Sequence, residues 1–119
     1  MEYPLKIAKA LADGGRMRVV AALLTHDELC VCQIVEMLRL STPTVSRHMS
    51  ILQNARLVRY RKDGKWVYYR LDESFPDHLR QWLLESLSNS EEFKADQVKL
   101  ETILNCDPGE LCRQQRDKR

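Results

Sequence analysis

Four cysteines carry the most distinctive chemistry in this chain of 119 residues. Cys30 and Cys32 are separated by one residue, and Cys106 and Cys112 lie near the C-terminal end. Thiolates are soft ligands that select thiophilic ions and disfavour magnesium or calcium. Because thiols are commoner than structural disulfides in a reducing cytosol, these cysteines predict metal or metalloid binding.

The spacing of Cys30 and Cys32 constrains how both can bind one atom. On a regular helix each residue advances by about 100°, so side chains two residues apart point roughly 200° apart and cannot share a ligand. In an extended backbone, residues i and i+2 lie on one face. Capture by both sulfurs is therefore expected to distort the helix that carries them, and a ligand that prefers the distorted form shifts the protein towards it.

A cluster of positive charge is the second functional signal. From Arg39 to Arg70 there are eight basic residues and one acidic residue, a net charge of +7, whereas the remainder of the chain has −5 and the whole chain +2. A clustered basic surface is what binding to phosphates requires, because neutralising them releases counterions and supplies affinity. The segment from Ser41 to Leu52 adds short hydroxyl side chains that reach base edges or phosphates. Its predicted DNA contacts are Thr42, Pro43, Thr44, Ser46, Arg47 and His48.

Two adjacent helices are predicted to present this segment. Apolar residues from Leu29 to Leu38 have helical spacing, which predicts a helix ending near Arg39 with the cysteine pair at its start. Thr42 as N-cap and Pro43 as the first helical residue predict the start of the next helix. Two helices joined by three or four residues form a helix-turn-helix. Val45, Met49 and Leu52 form the inward stripe of the second helix.

A β-hairpin is predicted next. Residues 57–61 and 66–71 are rich in branched and aromatic side chains, and the link between them contains Asp63-Gly64, a strong hairpin-turn signal. This hairpin would form a wing with Arg61, Lys62 and Lys65 beside DNA phosphates.

Helices are predicted on both sides of this unit. The first ends near Asp13-Gly14-Gly15, where the glycines suit a C-cap and turn, and a second follows from Met17 to Leu24. A further helix begins near Asp77, and a capping-box pattern at residues 88–91 separates it from another that reaches Leu104. These helices carry more apolar surface than a small core covers, which predicts a two-fold dimer interface. The tail from Asp107 onward is polar and is expected to be loose.

The predicted fold class is mainly α with a small β-hairpin (α+β): a winged helix-turn-helix that dimerises through its N- and C-terminal helices. Residues 1–105 would form this domain with its dimerisation helices, and residues 106–119 a cysteine-containing polar tail. No apolar run approaches the roughly 20 residues that span a bilayer, and the N-terminus lacks the layout of a secretory signal. A cytoplasmic protein without membrane association is expected.

Four sequence stretches resemble the arsenic-responsive repressors of the ArsR/SmtB family over nearly the whole chain. They are ELCVCQI at 28–34, STPTVSRHMSIL at 41–52, DGKWVYYRL at 63–71 and the C-terminal pair of cysteines. The resemblance implies a homodimeric repressor that binds operator double-stranded DNA of its own resistance operon. It also implies derepression by arsenite or antimonite bound at Cys30 and Cys32, with no organic cofactor.

The chain departs from this family at two places. Some relatives carry a third cysteine three residues after the pair, where this chain has Val35. A trigonal arsenic site would then take its third sulfur from Cys106, from Cys112 or from a small thiol in solution. The second departure is the flexible Asp13-Gly14-Gly15 sequence before Arg16, where relatives often carry a less flexible one.

Several alternatives remain open at this stage. A zinc or cadmium sensor of the same fold would need ligands on the long C-terminal helix, where Asp77 and His78 lie without a second histidine. A thiol redox sensor and a DNA-binding module without an effector are also compatible with the residues. An arsenate reductase or small phosphatase would need an arginine six positions after its cysteine, but Cys112 occupies that place after Cys106. An enzyme is therefore not expected.

Overall fold

The structure, a computed structural model, describes residues 1–117, except for the side chains of residues 112–114, 116 and 117. The helices are α1 (Glu2–Leu11), α2 (Gly14–Thr25), α3 (Val31–Leu38), α4 (Thr42–Asn54), α5 (Asp77–Leu87), α6 (Glu91–Leu104) and α7 (Pro108–Asp117). The strands are β1 (Leu29–Cys30), β2 (Val58–Asp63) and β3 (Trp66–Leu71). The predicted mainly helical winged helix-turn-helix is confirmed. No described helix has the length and apolar character needed to cross a bilayer.

The three strands form one antiparallel sheet in the order β1-β3-β2. Asp63 pairs with Trp66 across the tip of the β2–β3 hairpin, so the predicted turn is confirmed with two residues between the strands. The first of them, Gly64, has a φ of 62°, a conformation that glycine adopts without steric cost. The short strand β1 was not predicted, because a two-residue strand leaves no periodic pattern in the sequence.

The helix-turn-helix consists of α3 and α4. Arg39 ends α3 in the left-handed conformation, with φ 56° and ψ 41°, and turns the chain towards α4. The N-cap of α4 is Ser41, whose Oγ accepts a hydrogen bond from the Thr44 amide at 3.4 Å. The prediction of Thr42 as N-cap is therefore wrong by one residue. Ser41 and Thr42 have similar capping propensity, so the sequence does not distinguish them.

The core lies between α2, α3, α4 and the wing sheet. The predicted inward stripe of α4, formed by Val45, Met49 and Leu52, is confirmed, since all three are fully buried. They pack in one cluster with apolar side chains from the other elements, including Val19, Val20, Leu29, Ile34, Met37, Leu57, Leu83 and Leu100. This shared cluster means that a shift of α3 is transmitted to α4 through direct contacts.

The two N-terminal glycines do not form the predicted C-cap. Helix α1 ends at Leu11, and Asp13 is the N-cap of α2, whose Oδ2 accepts a hydrogen bond from the Arg16 amide at 3.0 Å. Gly14 and Gly15 are thus the first residues of α2. An aspartate before two glycines suits a helix start as well as a turn, because its carboxylate satisfies an amide of the first turn.

The C-terminal region is more ordered than expected. The predicted break between α5 and α6 is confirmed, with Ser90 as N-cap accepting a hydrogen bond from the Phe93 amide at 3.3 Å. The expectation of a loose tail is wrong for Pro108–Asp117, which forms α7. Leu111 is buried in the core cluster and supplies the apolar contact that holds this polar helix on the domain.

A partly buried ion pair ties α6 to the C-terminal end of α3. Asp96 is 6% exposed and accepts two hydrogen bonds from Arg18 of α2, each 2.8 Å long. Arg18 also donates to the Met37 carbonyl at 3.1 Å, and Lys99 donates to the same oxygen at 3.3 Å. A carbonyl in the last turn of a helix has no partner within the helix, so these cations satisfy it.

We expect the substitution Asp96→Asn to lower the free energy of unfolding by about 2 kcal/mol, because it weakens two charge-assisted hydrogen bonds in a buried position. Urea denaturation followed by circular dichroism measures this change. Glu92→Gln is the matched control, since Glu92 contacts the same arginine at 3.4 Å from an exposed position. Its expected cost is below about 1 kcal/mol. Equal costs for the two variants would contradict the structural role of Asp96.

Candidate functional site

Helix α4 exposes a row of polar residues at helical spacing. Pro43, Ser46 and Arg47 are exposed, and Thr42 and Thr44 are half-buried. Thr44 Oγ1 lies 2.9 Å from Ser41 Oγ and accepts a hydrogen bond from Arg47 Nη2 at 3.3 Å.

The exposed row continues to Ser50, which sequence analysis missed. The spacing of residues 43, 46, 47 and 50 was the signal that would have identified it, because these positions share one helix face. A helix with such a row fits the major groove of B-DNA, which is about 12 Å wide.

His48 lies apart from this row. Its side chain is 16% exposed and faces the junction of α1 and α2, where Nδ1 lies 3.0 Å from Arg16 Nη1 and Nε2 lies 3.9 Å from Asp13 Oδ2. Arg16 also donates to the Ala10 carbonyl at 2.7 Å. This position favours a role in holding α4 against the N-terminal helices, and a DNA contact by His48 stays a prediction.

The wing presents the predicted basic residues. Arg61, Lys62 and Lys65 are exposed on β2 and the turn. Arg61 is already paired: its Nε and Nη2 donate to the two carboxylate oxygens of Glu28, both at 2.7 Å. These hydrogen bonds lower the pKa of Glu28, while desolvation opposes the shift. Sequence analysis did not identify Glu28 as a site residue, because its partner is 33 positions away in the chain.

The first thiol of the pair, Cys30, lies at a junction between strand and helix. It ends β1 and is the N-cap of α3, with φ −82° and ψ 160°. Its sulfur accepts the Gln33 amide hydrogen bond, and Gln33 Oε1 accepts from the Cys30 amide at 2.8 Å, which completes a capping box. Cys30 is 1% exposed, and this burial raises the pKa of its thiol against the opposing effect of the amide hydrogen bonds.

The second thiol of the pair belongs to the first turn of α3. Cys32 is half-buried and disulfide-bonded, whereas Cys30 and Cys106 are free. The expectation of free thiols is therefore wrong for Cys32. The predicted position of the pair at the start of this helix is confirmed: Cys30 is its N-cap, with extended backbone, and Cys32 lies in its first turn. The pair thus spans the point where extended backbone becomes helical, and capture of one atom by both sulfurs stays a prediction.

Helix α7 packs against the cysteine pair. Gln115 Nε2 donates to the Cys32 carbonyl at 2.8 Å and to Glu36 Oε2 at 3.4 Å. Cys112 lies three residues before Gln115 on α7, and its side chain is outside the described residues. Cys106 follows α6, is exposed and donates its thiol hydrogen to the Thr102 carbonyl at 3.6 Å.

Oxygen and nitrogen ligands are not clustered in the part of the chain that the structure describes. No group of three or more His, Cys, Asp or Glu residues there is arranged to hold a metal ion. Asp77 and His78, the residues considered for a zinc sensor, lie exposed at the start of α5.

In the reduced protein we expect iodoacetamide to modify Cys30 more than about tenfold more slowly than Cys106, because the thiolate is the nucleophile and burial protects Cys30. The raised pKa of Cys30 means that less thiolate is present at any given pH, so its labelling should increase as the pH rises beyond the usual range of a thiol. Peptide mass spectrometry measures both rates. Equal rates at neutral pH would contradict the capping role of the Cys30 sulfur.

Comparison with known proteins finds similarity to regulators. Residues 13–60 match the family described as "Bacterial regulatory protein, arsR family". The chain is 36% identical over 101 residues to the arsenical resistance operon repressor of Escherichia coli K12, covering 85% of this chain and 81% of the relative.

A cadmium-named relative and a solved structure extend the comparison. The cadmium resistance transcriptional regulatory protein CadC homolog of Staphylococcus aureus is 41% identical over 76 residues, which is 64% of this chain and 60% of the relative's length. The structure of HlyU from Vibrio cholerae superposes with a TM-score of 0.67 at 26% identity, covering 74% of this chain and 95% of HlyU.

Proposed function

This chain belongs to the arsR family of bacterial regulatory proteins, which are DNA-binding regulators and not enzymes, and from this premise we propose that it is an arsenic-responsive repressor. It binds operator DNA as a homodimer in the cytoplasm and releases the operator when trivalent arsenic or antimony binds Cys30 and Cys32. The observation that carries this proposal is the position of the Cys30 sulfur as the N-cap of α3, the helix that supports α4.

The exposed face of α4 is the proposed reader of the operator. Ser46 and Arg47 would lie in the major groove, where arginine pairs with guanine or with phosphate. Thr42, Pro43 and Thr44 at the start of α4 would approach the backbone and the base edges. Arg61, Lys62 and Lys65 of the wing would contact adjacent phosphates, which supply affinity and fix the orientation of the domain.

An apolar groove supports the proposed homodimer. It lies between α1 and α5, has a volume of about 500 Å³ and is lined by Ile7, Leu11, Leu79 and Trp82, among others. Trp82 is 58% exposed. A second copy related by a two-fold axis would cover both grooves and place the two α4 helices on successive major grooves, about 34 Å apart.

Binding of an arsenic atom competes with the hydrogen bond that caps the start of α3. The Cys30 sulfur must give up the Gln33 amide to bind arsenic, and loss of an N-cap costs about 1 kcal/mol. In the reduced protein, the Cys32 sulfur must turn towards the same atom from a helical position. Each arsenic–sulfur bond forms as the thiol proton leaves with one arsenite hydroxyl group as water. Because α3 and α4 share one close-packed core, the bound form disfavours the arrangement of α4 that reads DNA.

A trigonal arsenic site needs a third sulfur besides those of Cys30 and Cys32. We assign it to Cys112 of α7, with Cys106 as the competing candidate. The hydrogen bond from Gln115 to the Cys32 carbonyl supports Cys112, because it holds α7, the helix that contains position 112, against the start of α3. Burial of Leu111 also holds this part of α7 against the domain.

Two other effectors are favoured by specific observations. The name of the Staphylococcus aureus relative favours cadmium, which is thiophilic and binds sets of thiolates. The disulfide at Cys32 favours thiol oxidation as a signal in place of an ion. Both involve Cys32, whereas the thiol of Cys30 stays free in the oxidised protein, so one release assay distinguishes the two effectors.

A gel-shift assay with reduced protein and operator DNA tests the effector. We expect arsenite to weaken operator binding by at least about tenfold, within the usual range of ligand coupling. The double variant Cys30→Ser, Cys32→Ser should bind the operator normally and keep it in the presence of arsenite. Release of DNA from this variant by arsenite would contradict the proposal. Release of the unmodified protein by cadmium or by a thiol oxidant, with none by arsenite, would establish the corresponding alternative.

X-ray absorption of the arsenite complex tests the third ligand, since it counts sulfur neighbours of arsenic. We expect three sulfur neighbours in the unmodified protein and two in Cys112→Ser, with oxygen completing the coordination. Cys106→Ser is the matched control and should retain three. Two sulfur neighbours in Cys106→Ser and three in Cys112→Ser would identify Cys106 as the third ligand. Three sulfur neighbours in both variants would identify a small thiol from solution as the third ligand.

A further inference from the structure

The thiol site and the wing belong to one sheet. Cys30 of β1 pairs with Tyr68 of β3, and Tyr68 pairs on its other side with Arg61 of β2. Neighbouring strands are about 4.8 Å apart, so the backbones of Cys30 and Arg61 lie roughly 10 Å apart across the sheet. A displacement of β1 therefore reaches the DNA-facing wing directly, without passing through α3 and α4.

Glu28 adds a side-chain connection along the same path. It precedes Cys30 by two residues, and its carboxylate forms the bidentate pair with Arg61. The Arg61 guanidinium also lies 4.4 Å above the centre of the Tyr68 ring. The guanidinium is thus held by Glu28, two residues before Cys30, and by Tyr68, the strand partner of Cys30.

The pairing with Glu28 leaves part of the guanidinium available. Arginine has five N–H groups, and the contacts with Glu28 use Nε and one N–H of Nη2. The remaining edge carries Nη1, which lies 4.0 Å from Asp63 Oδ2, and the side chain of Arg61 is half exposed. Because Asp63 is exposed and lies beyond hydrogen-bond distance of Nη1, this edge of a guanidinium with a fixed plane is suited to bidentate binding of a phosphate oxygen pair.

We infer that Glu28 is a positioning residue that couples the cysteine pair to the wing. In the DNA-binding form it orients Arg61 towards a backbone phosphate, and ligand capture at Cys30 displaces β1 and removes that support. The inference rests on the proposed function and adds to it a second route of regulation, through the wing as well as through α4.

The chain supplies a matched control for this role. Glu73 pairs with Arg59 of the same strand β2, at 3.6 Å, and is 84% exposed. Glu73 lies after β3 in the chain and is far in sequence from β1 and the cysteine pair. The substitutions Glu28→Gln and Glu73→Gln remove the same charge beside the wing, so general electrostatic effects on DNA binding should be alike. Exposed ion pairs contribute little to stability, so both variants should fold.

The experiment measures the operator dissociation constant of each variant with and without arsenite, by fluorescence anisotropy under reducing conditions. For Glu28→Gln we expect operator binding without arsenite to weaken about threefold or more. We also expect the ratio of the dissociation constant with arsenite to that without arsenite to be at least about fivefold smaller than in the unmodified protein. Arsenite binding, followed by the ultraviolet absorbance of the arsenic thiolates, should be unchanged. Glu73→Gln should retain the full ratio.

A double-mutant cycle makes the assignment specific. Arg61→Ala should also lower the ratio, and Glu28→Gln combined with Arg61→Ala should lower it no further, because the two residues act as one unit. Equal ratios in Glu28→Gln, Glu73→Gln and the unmodified protein would overturn the coupling while leaving the proposed function intact. Absence of arsenite-dependent release from the unmodified protein would overturn the proposed function, and the coupling with it.

Discussion

The hydrogen bond from the Gln33 amide to the Cys30 sulfur is the interaction on which the rest of this structure depends. Cys30 ends strand β1 of the wing sheet and caps helix α3. Helix α3 in turn packs against α4, the proposed reading helix. A cap of this kind is usually an oxygen of serine, threonine or aspartate, whose chemistry is inert to soft ions. A thiol at the same place has a soft sulfur that thiophilic ions prefer, and the proposed function rests on this difference.

The supporting helix is held at both ends by the C-terminal part of the chain. At the C-terminal end of α3, Arg18 and Lys99 bind the Met37 carbonyl, and Asp96 of α6 holds Arg18 in place. At its N-terminal end, Gln115 of α7 binds the Cys32 carbonyl. Helix α3 is therefore confined between α4 and the C-terminal helices α6 and α7. A distortion at its first turn has few ways to relax except through its neighbours, because close-packed interiors transmit displacement.

The fold and the proposed effector site are separate features of this chain. The fold supplies a DNA-reading helix, a basic wing and helices with apolar surface for association, none of which specifies an effector. In the proposed function, the donor atoms at the junction between β1 and α3, together with a sulfur from α7, decide the effector. Relatives named for arsenical and for cadmium resistance are both similar in sequence to this chain.

The sequence by itself determined the elements with strong local patterns. The helix-turn-helix, the Asp63-Gly64 hairpin, the inward stripe of α4 and the break before Glu91 all follow from periodicity and turn chemistry. The resemblance that rested on the cysteine pair and the recognition segment led to the correct family. These features depend on residues close together in the chain, where local preferences decide the conformation.

The tertiary structure alone decided the features that join distant segments. Strand β1 exists because two residues pair with β3, and α7 is held on the domain by one buried leucine and a glutamine that reaches α3. The pairing of Glu28 with Arg61 and of His48 with Arg16 likewise joins residues more than 30 positions apart. Such contacts leave no periodic signal, because the free energy that selects them comes from packing and charge pairing that form only when the chain has folded.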